Sequence, residues 1–391
     1  MTTRREALVA AGALAVTGLT ARPAGAVTPS ADTPHPPVPE NASLHALARA
    51  KGLRFGSAVG VGAAGSLAGG YHDPAYRALL ARECGVLVHE NELKWYVLRP
   101  DAARFTFERA DTLVTFADEH QLALRGHTLL WHHPRWFPAW LESHDFGSRP
   151  GTEAERLLVE HVRTVAARYA GRIGSWDVVN ETVDPETGGL RETALSRHLG
   201  DEVIDIAFHV AREADPHAQL VYNDYMSWEA GHETHQEGVL RLLDGLAERG
   251  VPIDALGVQS HIGSSNFDAS TGFDTARDGH WRGFLDHVTG LGLDLLITEF
   301  DVHDKNLPYD IDARDQAVAD LARRYLDLMF SYRQTRELLV WGLADPYSWY
   351  QNVWPRRDNA PKRPTPYDSE FRPKPLRDAI ADALRAAPAR A

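Results

Sequence analysis

The sequence predicts one α/β domain, a single (β/α)8 TIM barrel, on three observations. Eight short runs of β-forming residues alternate with longer amphipathic stretches, which indicates a parallel sheet covered by helices. Eight such units within roughly 300 residues favour a closed barrel over an open sheet. Polar side chains follow almost every run, as expected where barrel strands end at a functional face. The predicted strands are residues 53–59, 85–89, 122–128, 173–181, 219–224, 255–261, 293–301 and 338–343.

Between these strands, apolar residues recur with the 3.6-residue period of an amphipathic helix. The clearest stretches are residues 153–169, 201–213, 234–249 and 313–333. Because no internal repeat and no second low-complexity segment interrupts them, residues 43–386 are predicted to form one barrel domain.

The first 26 residues have the three parts of an export signal. Arg4 and Arg5 form a twin-arginine pair, an apolar run covers residues 7–19, and Ala24-Gly25-Ala26 is a small-x-small signal for cleavage after residue 26. The apolar run is too short to span a bilayer. We therefore predict a twin-arginine-type signal peptide over residues 1–26, with a periplasmic or secreted product that has no membrane contact after signal removal. Residues 27–42 are rich in Pro, Thr and Ala, which favours a disordered linker.

Charge and cysteine content narrow the classes of function. The chain carries a formal net charge of −13, and removal of residues 1–26 leaves −15. An acidic protein without a basic stripe is a poor nucleic-acid binder, because phosphate contacts need clustered Lys or Arg. Cys84 is the single cysteine, so no intrachain disulfide is possible, and its apolar setting favours a buried small hydrophobe. We expect a monomer without nucleic-acid partners.

Two strand ends carry a glutamate. Residues 176–181 spell Trp-Asp-Val-Val-Asn-Glu, and residues 295–301 spell Leu-Leu-Ile-Thr-Glu-Phe-Asp. A glutamate at the carboxyl end of a buried parallel strand lies where a barrel builds its active site, so Glu181 and Glu299 could face each other across the barrel mouth. Glycoside hydrolysis needs such a pair, one group to donate a proton and the other to attack or to activate water. The pair therefore predicts a polysaccharide hydrolase.

The other strand ends carry amides, histidines, acids and tryptophans on rigid supports. Aromatic faces take the apolar face of a pyranose, while amides and charged groups bond its hydroxyls. This mixture of side chains is typical of a sugar site. The residues concerned are Glu90, Asn91, Lys94, His127, Trp131, Asn180, Gln259, His261, Asp301, Trp341 and Trp349. Asn223 and Tyr225 also lie at a strand end, and for these two residues contact with substrate stays open.

With these motifs in order and at barrel spacing, the chain resembles glycoside hydrolase family 10, the (β/α)8 endo-1,4-β-xylanases. The resemblance covers about residues 44 to 384. It rests on Glu-Asn-Glu-Leu-Lys-Trp at 90–95, Arg-Gly-His-Thr-Leu-Leu-Trp-His at 125–132, Gln-Ser-His at 259–261 and the two glutamate strings. Trp-Gly at 341–342, Ser-Trp at 348–349 and Arg-Pro-Lys-Pro at 372–375 also fit.

The resemblance implies a role for each residue of the catalytic group. Glu181 matches the family's acid/base, which must start neutral and therefore needs a raised pKa. Glu299 matches the nucleophile of a retaining double displacement. Asn180 matches the residue that bonds the sugar 2-hydroxyl, and His261 with Asp301 matches the pair that keeps the nucleophile ionised and oriented.

The resemblance also implies xylan as the substrate, with no cofactor and no metal. On this basis Glu90, Asn91 and Lys94 match a hydroxyl clamp, and His127 and Gln259 match polar contacts near the reacting sugar. Trp341 and Trp349 match aromatic walls, and Trp131 belongs to the same substrate-binding set.

The chain departs from the family pattern in three places. Residues 132–140 spell His-His-Pro-Arg-Trp-Phe-Pro-Ala-Trp, where the family usually has His-x-Gln-x-Pro. Met226 follows Tyr225 where Asn is usual, and Val88-His89 replaces Thr-Pro before Glu90. These changes leave the glutamate pair intact but alter sugar-contacting walls, so substrate choice stays open.

Two other functions remain as alternatives. The first is the same chemistry on another β-linked glycan or a plant glycoside, and the second is a non-catalytic carbohydrate-binding or protein-interaction barrel. A non-catalytic barrel would be indicated by loss of Glu181 or Glu299, and the sequence retains both. A zinc hydrolase is disfavoured, because the histidines at 127, 132, 133 and 144 lack a carboxylate at fixed spacing, and those at 232 and 235 lack the His-Glu-x-x-His spacing.

Overall fold

Eight parallel strands form a closed barrel in the order in which they follow along the chain. Each strand pairs with the next, and the eighth pairs with the first, where Arg54 lies opposite Glu337. The predicted fold class is therefore confirmed. The strands are β1 (Arg54–Val59), β2 (Val86–His89), β3 (Ala123–Trp131), β4 (Ile173–Asn180), β5 (Gln219–Asp224), β6 (Ala255–Val258), β7 (Asp294–His303) and β8 (Thr335–Val340).

The computed structural model describes residues 42–63, 68–263, 267–268, 272–273 and 278–390. The predicted signal peptide and residues 27–41 of the predicted linker lie outside these ranges and stay predictions. Within the described ranges, no helix is long and apolar enough to cross a membrane.

Helices of four to twenty residues connect the strands and cover the barrel. All four stretches named from periodicity are helical, with ends within three residues of the expected ones. The helices are Leu44–Arg49, Pro74–Glu83, Trp95–Leu98, Glu108–His120, Ala139–Glu142, Pro150–Arg168, Ser196–Leu199, Glu202–Ala214, Glu233–Glu248, Asp278–Gly290, Ile311–Phe330 and Pro375–Ala386. Short 3-10 turns span Pro134–Trp136, Asp345–Tyr347 and Trp349–Asn352.

The core lies between the strands and the surrounding helices, where strand residues are buried on both faces. Trp176 and Trp281 are fully buried there, which makes them packing residues. Gly126 on β3 permits the close approach of Trp176, because a Cβ at that position would lie 2.1 Å from the indole ring. Close packing of this kind holds the strand ends in fixed positions relative to one another.

Three strands end three residues away from their predicted carboxyl ends, which lie at the functional face. β6 ends at Val258, because Ser260 has a φ of 63° and breaks the ladder. His261 instead begins a short strand, His261–Gly263, that pairs with the end of β7. β3 runs on to Trp131, and β8 covers Thr335–Val340, three residues earlier than expected. Each difference brings a polar or aromatic residue to the rim.

Candidate active site

One cleft of about 780 Å³ opens at the carboxyl ends of the strands. Two of the candidates, Asn180 and Asp301, do not line the cleft; they are buried beneath it and bond to side chains that do. The candidates that line it are Glu90, Asn91, Lys94, His127, Trp131, Glu181, Gln259, His261, Glu299, Trp341 and Trp349.

Glu181 is the first residue after β4 and adopts a φ of 55°. This left-handed conformation is uncommon outside glycine, and its backbone N–H donates to the Asn223 carbonyl at 2.9 Å. Its carboxyl Oε1 accepts from Gln259 Nε2 at 2.9 Å. Burial raises the pKa of Glu181 above its ordinary 4.5, and the charges of Asp224 and Glu299 add to the rise. The group is therefore tuned to keep its proton.

Glu299 lies inside β7, and its pKa is shifted in the opposite direction to that of Glu181. Its Oε1 accepts from Asn223 Nδ2 at 2.8 Å, and its Oε2 lies 3.3 Å from His261 Nε2. Burial alone raises the pKa of this carboxyl, but the hydrogen bond from His261 and nearby cations, including Lys94, outweigh it and hold the pKa at about 2. Glu299 is thus ionised across the ordinary pH range.

His261 links Glu299 to Asp301. Its Nδ1 lies 2.8 Å from Asp301 Oδ1, and Trp349 Nε1 donates to the other Asp301 oxygen at 3.0 Å. Burial lowers the pKa of His261, but the two carboxylates outweigh that cost and raise it to about 10. The imidazolium therefore donates from both nitrogens and fixes the orientation of Glu299.

A chain of amides connects the two glutamates beneath the cleft. Gln259 Nε2 bonds Glu181 and also lies 3.4 Å from Asn180 Oδ1. Asn223 Nδ2 donates to the same Asn180 oxygen at 2.9 Å and to Glu299. Thr298 Oγ1 donates to Asn223 Oδ1 at 2.6 Å, which sets the orientation of that amide. The two carboxyl groups are therefore held by one connected network.

Lys94 lies in the part of the cleft formed after β2. Its Nζ donates to Asn91 Oδ1 at 3.2 Å and lies 4.6 Å from the centre of a Trp131 ring. Burial lowers the pKa of Lys94. The negative charges of Glu299, Glu90 and Glu181 act in the opposite direction and raise it. Burial also raises the pKa of Glu90 to about 7, although Lys94 acts against the rise. The predicted hydroxyl clamp is thus a compact group of donors and acceptors beside Glu299.

His127 is held from below by the barrel itself. Its Nδ1 lies 2.9 Å from Asp177 Oδ2, and Arg125 bonds the other oxygen of that carboxylate. The Trp341 ring meets the His127 ring edge-on at 5.2 Å. The peptide bond from His127 to Thr128 is cis. Since Asp177 fixes one ring nitrogen, the other is left for the cleft.

Sequence reasoning missed several residues of the site. Contact with substrate stays open for Asn223 and Tyr225 in the sequence. In the structure Asn223 Nδ2 donates to Glu299, and Tyr225 lines the cleft, where its hydroxyl accepts from Arg191 at 2.7 Å. Asn223 lies near the end of the predicted strand 219–224 and Tyr225 directly follows it, so their position at the strand end was the available signal. The other lining residues are Tyr96, Trp136, Glu229, His232, Gly263, His303, Lys305, Asn306, Tyr350 and Trp354.

The histidines considered for a metal are dispersed. His132 is buried between the hydroxyls of Thr182 and Thr193, at 2.8 and 3.0 Å. His144 pairs with Glu153, and His235 lies 3.1 Å from Asp224. Among the residues that the structure describes, no three His, Cys, Asp or Glu side chains converge on a point that would hold a metal ion.

A family model described as "Glycosyl hydrolase family 10" matches residues 43–383. The chain belongs to glycosyl hydrolase family 10. The chain is therefore a glycosidase of this family, as the glutamate pair and the motif order predict.

The curated relatives carry xylanase names. Endo-1,4-beta-xylanase B of Thermotoga neapolitana is 31% identical over 311 residues, 79% of this chain and 83% of the relative. The thermostable celloxylanase of Thermoclostridium stercorarium is 32% identical over 337 residues, 81% of this chain and 83% of the relative. Endo-1,4-beta-xylanase A of Thermoanaerobacterium saccharolyticum is 32% identical, but the match spans only 26% of that longer protein.

Solved structures agree on the fold. Xylanase 10B from Thermotoga maritima superposes with a TM-score of 0.76 at 30% identity, covering 88% of this chain and 98% of that one. Xylanase 10B from Thermotoga petrophila RKU-1, solved in complex with xylobiose, gives 0.77 at 30% identity and covers 89% and 98%.

Proposed function

We propose that the protein is a retaining endo-1,4-β-xylanase in which Glu299 is the nucleophile and Glu181 the acid/base. The observation that carries the proposal is the opposite tuning of two carboxyl groups in one cleft. Glu299 has a pKa of about 2, and that of Glu181 is raised. Carboxyl groups whose environments drive their pKa values apart have separate acid and base roles. The names of the relatives support xylan as the substrate.

In the first step of this mechanism, the Glu299 carboxylate attacks the anomeric carbon as the glycosidic bond breaks. Glu181 gives its proton to the departing oxygen, which leaves as the hydroxyl of the released chain. The products are a covalent glycosyl ester on Glu299 and an ionised Glu181.

In the second step, the ionised Glu181 takes a proton from water, and the water oxygen attacks the same anomeric carbon. The ester bond breaks and Glu299 leaves as a carboxylate. Two displacements at one carbon return the original anomeric configuration. The His261 imidazolium stabilises Glu299 both as nucleophile and as leaving group.

Asn180 supports the reacting sugar in this proposal. Its Oδ1 accepts from two amides of the network, and its buried Nδ2 has no hydrogen-bond partner among the described residues. A buried donor without a partner costs free energy unless a ligand satisfies it. A sugar 2-hydroxyl would do so, and that bond strengthens as charge develops at the anomeric carbon.

A second candidate, the same chemistry on another β-linked glycan, is motivated by the altered segment after β3. There Trp136 stacks on Trp131, with ring centres 5.2 Å apart, and joins the lining of the cleft. An aromatic wall added at this place changes which sugars or aglycones fit.

The test is reducing-end release by the purified protein on glucuronoxylan, mixed-linkage β-glucan and carboxymethylcellulose side by side, with Glu299→Ala as the inactive control. We expect release from xylan and β-configured new reducing ends in a ¹H NMR time course. Activity on β-glucan or carboxymethylcellulose alone would favour the second candidate. Release of α-configured ends would overturn the retaining mechanism.

We also propose export through the twin-arginine route, which rests on residues 1–26 alone. The double substitution Arg4→Lys with Arg5→Lys keeps the charge and removes the arginine pair. We expect this variant to accumulate in the cytoplasm of the producing cell, while the parent reaches the periplasm or medium. An equal distribution of the two proteins would contradict this route.

A further inference from the structure

Lysine is rare in this chain, and two of its lysines line the cleft. Arginine supplies most of the positive charge, and the lysines are Lys51, Lys94, Lys305, Lys362 and Lys374. Lys94 and Lys305 line the cleft, while Lys362 and Lys374 are buried and do not line it. A lysine offers a compact charge on a flexible stem, whereas arginine presents a fixed planar fork. The cleft is thus lined by two lysine side chains.

The two cleft lysines differ in their partners. Lys94 is fixed by Asn91 and Trp131 and interacts with Glu90, Glu181 and Glu299. No carboxylate among the described residues lies within ion-pair distance of Lys305. Acidic side chains outnumber basic ones in this chain, whose net charge is −13, so a cleft lysine without a carboxylate partner in the described part of the structure is an uncommon arrangement.

His303 lies next to Lys305 at the end of β7, and we call these two residues the outer β7 wall. Glu299, Asp301 and His303 are alternate residues of the strand, so they point to the same side of it. At about 3.3 Å per residue, His303 lies roughly 13 Å further along the strand than Glu299. The wall is thus on the substrate side of the barrel but beyond the reacting bond.

The His303 ring stacks on Tyr350, with ring centres 4.6 Å apart, and its buried Nε2 has no hydrogen-bond partner among the described residues. Burial lowers the pKa of His303 to about 4, and the charges of Lys362, Lys305 and Arg356 contribute. The neutral ring can present an N–H donor beside the Lys305 ammonium. A cation and a neutral donor side by side suit a carboxylate better than a neutral hydroxyl.

We propose that the outer β7 wall binds the carboxylate of a uronic acid side chain carried by the xylan main chain, through Lys305 and His303. The proposal rests on the xylanase function proposed above and specifies the decoration that the cleft accepts. Glu90, Glu181, Glu229 and Glu299 also line the cleft. The two other cations there already face carboxylates: Lys94 interacts with Glu90, Glu181 and Glu299, and His261 lies between Glu299 and Asp301. A uronate placed elsewhere would therefore face carboxylates. The wall therefore selects both the charge and the position of the side chain.

The test compares kcat/KM for a neutral xylo-oligosaccharide and for the same oligosaccharide with one glucuronic acid branch. We expect Lys305→Ala to lower the ratio of branched to neutral substrate about three- to fivefold, the range of a partly exposed ion pair. Lys305→Glu lowers it further, and Lys305→Arg retains it. Lys51→Ala is the matched control, since Lys51 precedes β1 at the opposite end of the barrel.

The salt dependence of the ratio of kcat/KM for branched and neutral substrate is a second test of the ion pair. Raising NaCl from 50 to 500 mM should lower the ratio for the parent protein and not for Lys305→Ala, because salt screens exposed charges. A ratio that is unchanged in both Lys305→Ala and Lys305→Glu overturns the proposal.

A binding measurement tests the outer β7 wall independently of the proposed xylanase activity. Calorimetry on Glu299→Gln, with and without Lys305→Ala, measures affinity for the branched oligosaccharide without turnover. Weaker binding in the double variant supports the wall even if the parent protein fails to cleave the neutral substrate. Equal binding overturns the wall even if the parent protein cleaves xylan.

Discussion

The floor of the cleft and its outer rim are built by different means. On the floor, Glu299 is 5% exposed and Asn180 and Asn223 are 0% exposed, and each is carried by a strand of the barrel. On the rim, Trp136 is 38% exposed and ends a 3-10 turn after β3, and Trp354 is 51% exposed and lies outside the helices and strands. The barrel thus fixes the reacting groups, while connecting segments determine what surrounds them.

Both regions contain residues with an uncommon positive φ. On the floor these are Glu181 and Ser260, and on the rim it is Trp354. Trp354 has a φ of 43°, which a bulky side chain rarely adopts. It packs edge-on against Trp349 at 5.6 Å and near His303 at 5.6 Å. Strain of this kind persists where neighbouring contacts hold it, often at binding sites. The comparison predicts that floor substitutions change the chemical step and rim substitutions change substrate binding.

The largest expected effect follows from Glu299→Ala. Removal of the nucleophile should lower kcat on the order of 10⁴- to 10⁶-fold with the fold intact, as for other covalent catalysts. With an activated aryl glycoside, azide should restore part of the activity, because it fits the space left by the carboxylate and yields the inverted glycosyl azide. Unchanged activity in a steady-state assay would end the nucleophile assignment.

Glu181→Ala should have the next largest effect, and its size should depend on the leaving group. We expect a loss of about 10²- to 10⁴-fold on xylan, the usual contribution of a general acid. A dinitrophenyl glycoside should retain fast release of the phenol, since that leaving group needs no proton. Measured rates that fall equally for both substrates would exclude the acid/base role.

Asn223→Ala tests whether the amide network acts on Glu299. The substitution removes hydrogen bonds to Asn180 and to the Glu299 carboxylate. A hydrogen bond to a charged group contributes about 1.5–3 kcal/mol, so kcat/KM should fall roughly 10- to 100-fold. The pKa of Glu299 should rise, which moves the acidic limb of the pH–rate profile to higher pH. A profile identical to the parent's would show that the network is structural only.

The smallest effects are expected at the rim. Trp136→Ala and Trp354→Ala each remove one aromatic surface, worth about 0.5–1.5 kcal/mol, and should raise KM roughly two- to tenfold with kcat nearly constant. The two variants serve as controls for each other, since Trp136 follows β3 and Trp354 follows β8. A large fall in kcat with constant KM, on oligosaccharides of defined length, would contradict the division between floor and rim.

The sequence was sufficient to predict the barrel, because eight buried β runs and the helices between them depend on local patterns. Glu181 and Glu299 were found for the same reason, since each ends or lies within a buried run. The break after Val258 was missed because Gln259, Ser260 and His261 continue a plausible strand pattern, and only the φ of 63° at Ser260 separates them.

The contacts of Asn223 could not be predicted from local patterns. Its hydrogen bonds join three strands, β4, β5 and β7, and they exist only after the barrel has closed. The pKa values of Glu181, Glu299 and His261 depend on the same closure, because burial and charge neighbours set them. Trp136 and Lys305 lie in segments without periodicity, so their direction toward the cleft had no signal in the sequence.

The most direct test of the account is a ¹³C NMR titration of the glutamate side-chain carboxyl groups, with Glu181→Gln and Glu299→Gln used for assignment. Glu299 must be ionised and Glu181 protonated for the first step, so activity is lost as pH falls through the pKa of Glu299 and as it rises through that of Glu181. We predict that Glu299 titrates near pH 2 and that the pKa of Glu181 lies above its ordinary 4.5. Titration of both groups near 4.5, or of Glu181 below Glu299, would contradict it.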